Sequence, residues 1–129
     1  MIKHVPDKPL FWIGSSWRDL KDSPAEVQDF IGYALHWAQR GGKSPEAKPL
    51  QGFGGASVLE IVDDFDGNTY RAVYTVRFAE VIYVLHVFQK KSRKGIATPK
   101  QDIELIKARL KKAEAHYAEW LTERPEGTI

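Results

Sequence analysis

Residues 68–90 read NTYRAVYTVRFAEVIYVLHVFQK. Val, Ile, Tyr, Phe and Thr dominate, the residue types that suit a pleated, half-buried surface. A break at Ala79-Glu80 divides the stretch into two runs and predicts an antiparallel hairpin. If Phe78 pairs with Val81, then Arg71 faces Phe88, Val73 faces His86 and Arg77 faces Ile82. Side chains alternate along a strand, so two sets separate. Tyr70, Ala72, Tyr74, Val76 and Phe78, with Val81, Tyr83, Leu85 and Val87, form an apolar face for helices to cover. Arg71, Val73, Thr75 and Arg77, with Ile82, Val84, His86, Phe88 and Lys90, form a second face carrying cations, a histidine and an aromatic. A slip of one residue would exchange the two sets.

Working outward, SVLEIVDDF (57–65) predicts a preceding strand, closed by a turn at Asp66-Gly67-Asn68. The acidic residues Asp63, Asp64 and Asp66 serve that turn. After the hairpin comes KKSRKGIATPKQDIELIKARLKKAEAHYAEWLTE (90–123). Thr98 suits a helix cap, Pro99 the first helical position and Gln101 a capping box. Ile103, Ile106, Leu110, Ala113, Tyr117 and Leu121 then supply a long apolar stripe. Lys107, Arg109, Lys111 and Lys112 interleave with Glu104, Glu114 and Glu119, which reads as a solvated helix face. Lys100, in the first turn, opposes the helix dipole and hints at a ligand.

Towards the N-terminus, residues 1–8 read as an extended lead-in. PLFWIGSS (9–16) reads as a short strand and WRDLKD as a helical turn capped by Ser15 or Ser16. Ser23-Pro24-Ala25-Glu26 starts an amphipathic helix that runs to about residue 40 and ends at Gly41-Gly42. Residues 41–56, rich in Gly, Pro and Lys, read as a loop. Its GFGG lacks the Lys-Ser/Thr and the following helix of a phosphate loop. The expected order is β–α–α–β–β–β–α. It makes a single α+β domain over 1–129, with an antiparallel sheet of about four strands. Two N-terminal helices and a long C-terminal helix cover one face.

The 129 residues are 43% hydrophobic and 28% charged, with a net charge of only +2, so anion binding must come from local clustering. No cysteine is present, which excludes disulfides and thiolate metal sites. No apolar stretch approaches the roughly 20 residues of a membrane span, and no signal-peptide core stands at the N-terminus. A cytoplasmic protein is expected. His4, His36, His86 and His116 are dispersed, so no metal site and no cofactor is expected.

Cations on the open face of an antiparallel sheet are usually solvation, and KKSRK alone would usually guard a sheet edge. Their convergence changes that balance. The last strand delivers Lys90, Lys91, Arg93 and Lys94 to the end of the sheet where Arg71 lies. Such a cationic face beside Phe88 suits an RNA backbone with a stacked base.

The segment from Tyr70-Arg71-x-x-Tyr74 through VLHVFQKKS to TPKQDIELIKARL resembles the RelE/ParE toxin superfamily, and within it the HigB-like, phage-derived branch. The resemblance covers the chain from VLEI onward; the N-terminal helices match in order and size. It implies a RelE-like α+β fold and a toxin of a type II toxin–antitoxin module. It also implies a ribosome-dependent mRNA endonuclease that cleaves through the ribose 2′-OH without metal. The implied partners are a helix-turn-helix antitoxin, the ribosome and mRNA. By resemblance the catalytic set is drawn from Arg71, His86, Lys90 and Lys91. Arg71 and Lys90 lead for phosphate stabilisation, and His86 is a candidate acid or base. Arg77, Phe88, Arg93, Lys94 and Lys100 are candidates for holding RNA. Tyr74 occupies a motif position but falls on the core face, which makes it structural. Many relatives carry an arginine in ELR where this chain has Glu60-Ile61-Val62. The competing function is a ParE-like inhibitor that binds DNA gyrase without nuclease chemistry; a third is an RNA-binding module that does not cut.

Overall fold

The computed structural model describes residues 7–90 and 98–123. The elements run β1 (Leu10–Trp12), α1 (Ser16–Lys21), α2 (Ala25–Gln39), β2 (Ala47–Pro49), β3 (Val58–Phe65), β4 (Asn68–Thr75), β5 (Ile82–Lys90) and α3 (Lys100–Glu123). They build an α+β fold on one five-stranded sheet of order β1-β5-β4-β3-β2. β1 runs parallel to β5, and every other pairing is antiparallel.

The hairpins follow from local chemistry. Asp66 and Gly67 both take positive φ, 52° and 79°, as a two-residue turn between Phe65 and Asn68 requires. The β4–β5 connection closes with Val81 N–H donating to the Phe78 carbonyl. α2 ends as a Schellman motif. Gly42 N–H donates to the Trp37 carbonyl and Gly41 N–H to that of Ala38, with Gly41 at φ 87°. At its other end Ser23 does not cap the helix: its hydroxyl donates back to the Asp19 carbonyl, and Pro24 precedes the first turn.

Three expectations need correction. The 41–56 loop contains β2, which pairs with β3 through Ala47↔Ile61. Three residues are too few for periodicity, and Pro49 is tolerated because β2 is an edge strand. The second correction concerns the hairpin register. Arg71↔Phe88 and Val73↔His86 are paired as expected, but Tyr74 then pairs with Val84. Leu85 is the extra residue of a β-bulge, and it reverses the alternation in the first half of β5. Ile82 and Val84 therefore pack with Tyr70, Ala72, Tyr74 and Val87, while Tyr83 and Leu85 pack with Val73.

The third correction follows from the second. The helices do not share a face. Val27, Ile31, Ala34 and Leu35 of α2 pack on the first set, and Ile106, Leu110 and Ala113 of α3 pack on the other side with Tyr83 and Leu85. Ile82 through Val87 are all buried. A strand apolar on both faces needs cover on both. The second face is therefore a helix–sheet interface along much of its length rather than an open surface.

Candidate functional site

The cations end up in a polar seam where β3, β4 and β5 meet the start of α3. Arg71 is 4% exposed and Lys90 8%. Register places them close. Arg71 pairs with Phe88 and Thr69 with Lys90, so both cations leave the same face at the C-terminal end of β5. Arg71 Nη1 donates to Glu60 Oε2 at 2.9 Å. The Thr98 hydroxyl, expected to cap α3, donates to that same oxygen at 2.9 Å. Burial and the Arg71 charge lower the Lys90 pKa, while Glu60 and Asp102 act in the opposite direction. A partly desolvated ammonium beside a guanidinium holds its proton less firmly than one in water.

His86 sits one step further along the seam. Its Nε2 lies 2.8 Å from Asp102 Oδ1, and its ring stacks on Phe88 with centroids 4.4 Å apart and planes 14° apart. Arg109 Nη1 donates to the Leu85 carbonyl at 3.0 Å and lies 3.4 Å from His86 Nδ1. A guanidinium only donates, so this arrangement puts the imidazole proton on Nε2, where it is donated to Asp102. Burial lowers the His86 pKa and outweighs the raising effect of Asp102; the Arg109 charge lowers it further. Both ring nitrogens are thus engaged, and the ring is neutral at pH 7. Arg109 Nη2 also donates to Ser15 Oγ at 3.2 Å, and Ser15 donates to Asp19 Oδ2 at 2.7 Å. The seam runs from Glu60 on β3 to Asp19 on α1. Gly14 makes the approach of Arg109 possible. With φ 60° it has no side chain where a Cβ would meet the Arg109 Cζ at 2.8 Å.

Arg71, His86, Phe88 and Lys90 are therefore brought together. Arg77 is not. It is exposed beyond the far end of β4, bonded to Ser57 Oγ at 3.3 Å. It lies six positions along an extended chain from Arg71, roughly 20 Å. Lys100 stands exposed at the head of α3, two residues before the inward-turned Asp102. Lys91, Arg93 and Lys94 lie outside the described residues. Tyr74 is fully buried, its hydroxyl has no hydrogen-bond partner among the described residues, and burial pushes its pKa up to about 12. His116 accompanies Tyr83, bonded at 2.8 Å, within an aromatic cluster on the α3 side.

Sequence reasoning missed Glu60, Thr98, Asp102 and Arg109 as members of this seam. Glu60 carried one signal, as an acid inside the apolar run VLEIV. Asp102 and Arg109 carried another. They fall at helical spacing with Ile106 and Ala113, on the stripe that faces the sheet. Arg109 is half-buried in the seam rather than part of a solvated face.

The fold has counterparts among solved structures. A double mutant of the E. coli toxin RelE in the free state superposes with a TM-score of 0.52 at 17% identity, over 82% of this chain and 97% of that one. The toxin–antitoxin complex RelBE2 of Mycobacterium tuberculosis gives 0.40 at 20% identity, over 70% of this chain and 98% of that one. The chain itself belongs to the phage derived protein Gp49-like family (DUF891), which matches residues 18–111. That span runs from α1 into α3 and takes in every seam residue except Ser15. A comparison with curated proteins found no match. No helix among the described residues is long and apolar enough to cross a membrane.

Proposed function

We propose that this protein is the toxin of a type II toxin–antitoxin module and acts as a ribosome-dependent mRNA endonuclease. The observation that carries the reading is the convergence of Arg71 and Lys90 with Glu60 on one sheet face, two strand residues from the His86–Phe88 stack. The RelE-like fold and the Gp49-like family support it.

Cleavage of RNA through its own 2′-OH needs three things. A base removes the hydroxyl proton, cations balance the extra charge on the phosphorane, and an acid protonates the departing 5′-oxygen. In this reading Glu60 takes the proton as the 2′-oxygen bonds to phosphorus. Arg71 and Lys90 face the non-bridging oxygens. The P–O5′ bond breaks, and Lys90, whose proton is loosened by burial and by Arg71, donates that proton to the leaving 5′-oxygen. A 2′,3′-cyclic phosphate and a 5′-hydroxyl result, and no metal is required. Asp102 and Arg109 hold His86, which positions Phe88. Lys91, Arg93, Lys94 and Lys100 extend the grip on RNA or ribosome. The neutralising partner is a helix-turn-helix antitoxin, and the setting is the cytoplasm.

One observation favours a second reading. Arg71 is almost fully buried and ion-paired to Glu60, as a purely structural arginine would be. A protein that binds DNA gyrase without cutting RNA would need no more than that. A reconstituted translation reaction separates the two, with cuts mapped by primer extension for the wild type, Arg71→Ala and Lys90→Ala. Ribosome-dependent cuts that vanish in both folded variants are the expected result. Intact mRNA at inhibitory concentrations, with loss of DNA supercoiling by gyrase, would establish the second reading instead.

A further inference from the structure

A cleft of about 340 Å³ opens where α1 meets the outer side of β5, lined by Asp19, Asp22, Tyr70, His86, Phe88 and Gln89 among others. β1 pairs with β5 only from Ile82 to Val84, so the second half of β5 has no further strand beside it among the described residues. The volume lies at the lower end of the range for small-molecule sites, roughly 300–1,000 Å³. The lining combines two features. One is the stacked pair of His86 and Phe88, a platform on which a flat ring can continue the stack. The other is a pair of carboxylates on one side, Asp19 and Asp22, three residues apart on α1 and at its C-cap.

The charges are sorted by position. Arg71, cross-strand from Phe88, and Lys90, two residues beyond it, make the sheet side cationic. Cross-strand neighbours stand about 5 Å apart, which matches the step from a base to its phosphate. Asp19 and Asp22 are the charged residues of the cleft lining itself, so a phosphate is disfavoured within it. This favours a nucleotide with its base in the cleft and its phosphate over Arg71 and Lys90.

Ionised carboxylates accept hydrogen bonds and donate none. Asp22 is exposed and has no side-chain hydrogen bond or ion pair among the described residues, whereas Asp19 Oδ2 is held by Ser15. Guanine presents two adjacent donors on its Watson–Crick edge, N1–H and the N2 amino group, which fit one carboxylate in a bidentate pair. Adenine and cytosine present one amino donor next to a ring-nitrogen acceptor, and uracil one imino donor between two carbonyls. Each of those edges places a lone pair against the carboxylate.

We infer that the α1–β5 cleft is a base-selecting subsite that takes a guanine of the RNA, stacked on the His86–Phe88 pair and bonded by Asp22 with support from Asp19. The inference rests on the RNA-cleaving reading but can be tested without cleavage. The full-length protein is titrated, with chemical shifts followed by NMR, with 2′-O-methyl tetranucleotides carrying one guanosine, inosine, adenosine or cytidine among uridines. The methyl group removes the nucleophile, and inosine lacks only the N2 amino group. The guanosine tetramer should bind about tenfold tighter than the inosine tetramer, and Asp22→Asn should abolish that preference while Asp19→Asn reduces it. Equal affinities for all tetramers overturn the inference. So does a guanosine preference that survives both substitutions, or the absence of binding at millimolar concentration. A protein that cuts mRNA on ribosomes with no guanine preference retains the nuclease reading and loses the subsite. A protein that selects guanine here but cuts nothing does the reverse.

Discussion

His86 and Asp102 are joined by a 2.8 Å hydrogen bond that crosses from the sheet to the first turn of α3, and Arg109 closes the ring from its other nitrogen. Asp102 raises the His86 pKa and burial lowers it, with burial prevailing. Asp102→Asn should therefore drop the His86 pKa further, read from its imidazole proton shifts. The folded value is already below the ordinary 6.5 of an unfolded histidine. Below that pH the unfolded chain binds the extra proton, so His86 costs stability as pH falls from about 6.5 through the folded value, and nothing above it. Urea unfolding at about pH 7.5 and pH 5 should show a smaller acid-induced loss for His86→Asn than for the wild type.

In the Glu60–Arg71 pair the arginine is buried and the glutamate half-buried. Removing one partner strands the other charge, so Arg71→Met alone should cost about 3–5 kcal/mol. Replacing both, Glu60→Met with Arg71→Met, should cost distinctly less than the sum of the two single changes. A double-mutant cycle by chemical denaturation measures the difference.

Lys90→Met should retain the fold, because the methionine stem fills the same volume without a charge to desolvate. Its stability should equal or exceed that of the wild type in a thermal melt. Ribosome-dependent cleavage should fall by about 10²–10³, the usual cost of a lost charge-stabilising group.

Gly14→Ala meets two obstacles, a left-handed backbone and the Arg109 guanidinium 2.8 Å from the new Cβ. A loss of about 1–2 kcal/mol is expected from the backbone conformation alone. The steric part should disappear in Gly14→Ala combined with Arg109→Ala, so the two changes should be non-additive in denaturant unfolding.

Much of this fold was legible from residue patterns. The Asp66-Gly67 turn, the α2 helix with its Gly41-Gly42 stop and the Arg71↔Phe88 pairing all depend on short-range chemistry. Three things were not. β2 is too short to show a period. The bulge at Leu85 leaves no mark, because Leu is as apolar as its neighbours and alternation cannot be counted through a continuous apolar run. The placement of α3 depends on that bulge. At the site, Arg71 and Lys90 stood out as cations at the end of a strand. Their partners Glu60, Thr98 and Asp102 come from segments separated by up to 42 residues (60 to 102), and only tertiary folding brings such groups together.

The unpaired Leu85 divides β5 into two halves of opposite parity. Its first half takes its phase from β1 and the core beneath α3, and its second half takes its phase from Arg71 and the seam. A loop elsewhere in the chain can gain or lose a residue and change only its length. At this one position the extra residue, accommodated without a bulge, would, with the first half anchored, turn His86, Phe88 and Lys90 toward α2, whereas deleting Leu85 would leave both halves on their present faces. The bulge between Val84 and His86, more than the identity of the residue it holds, is what keeps the second half of β5 on the face of Arg71.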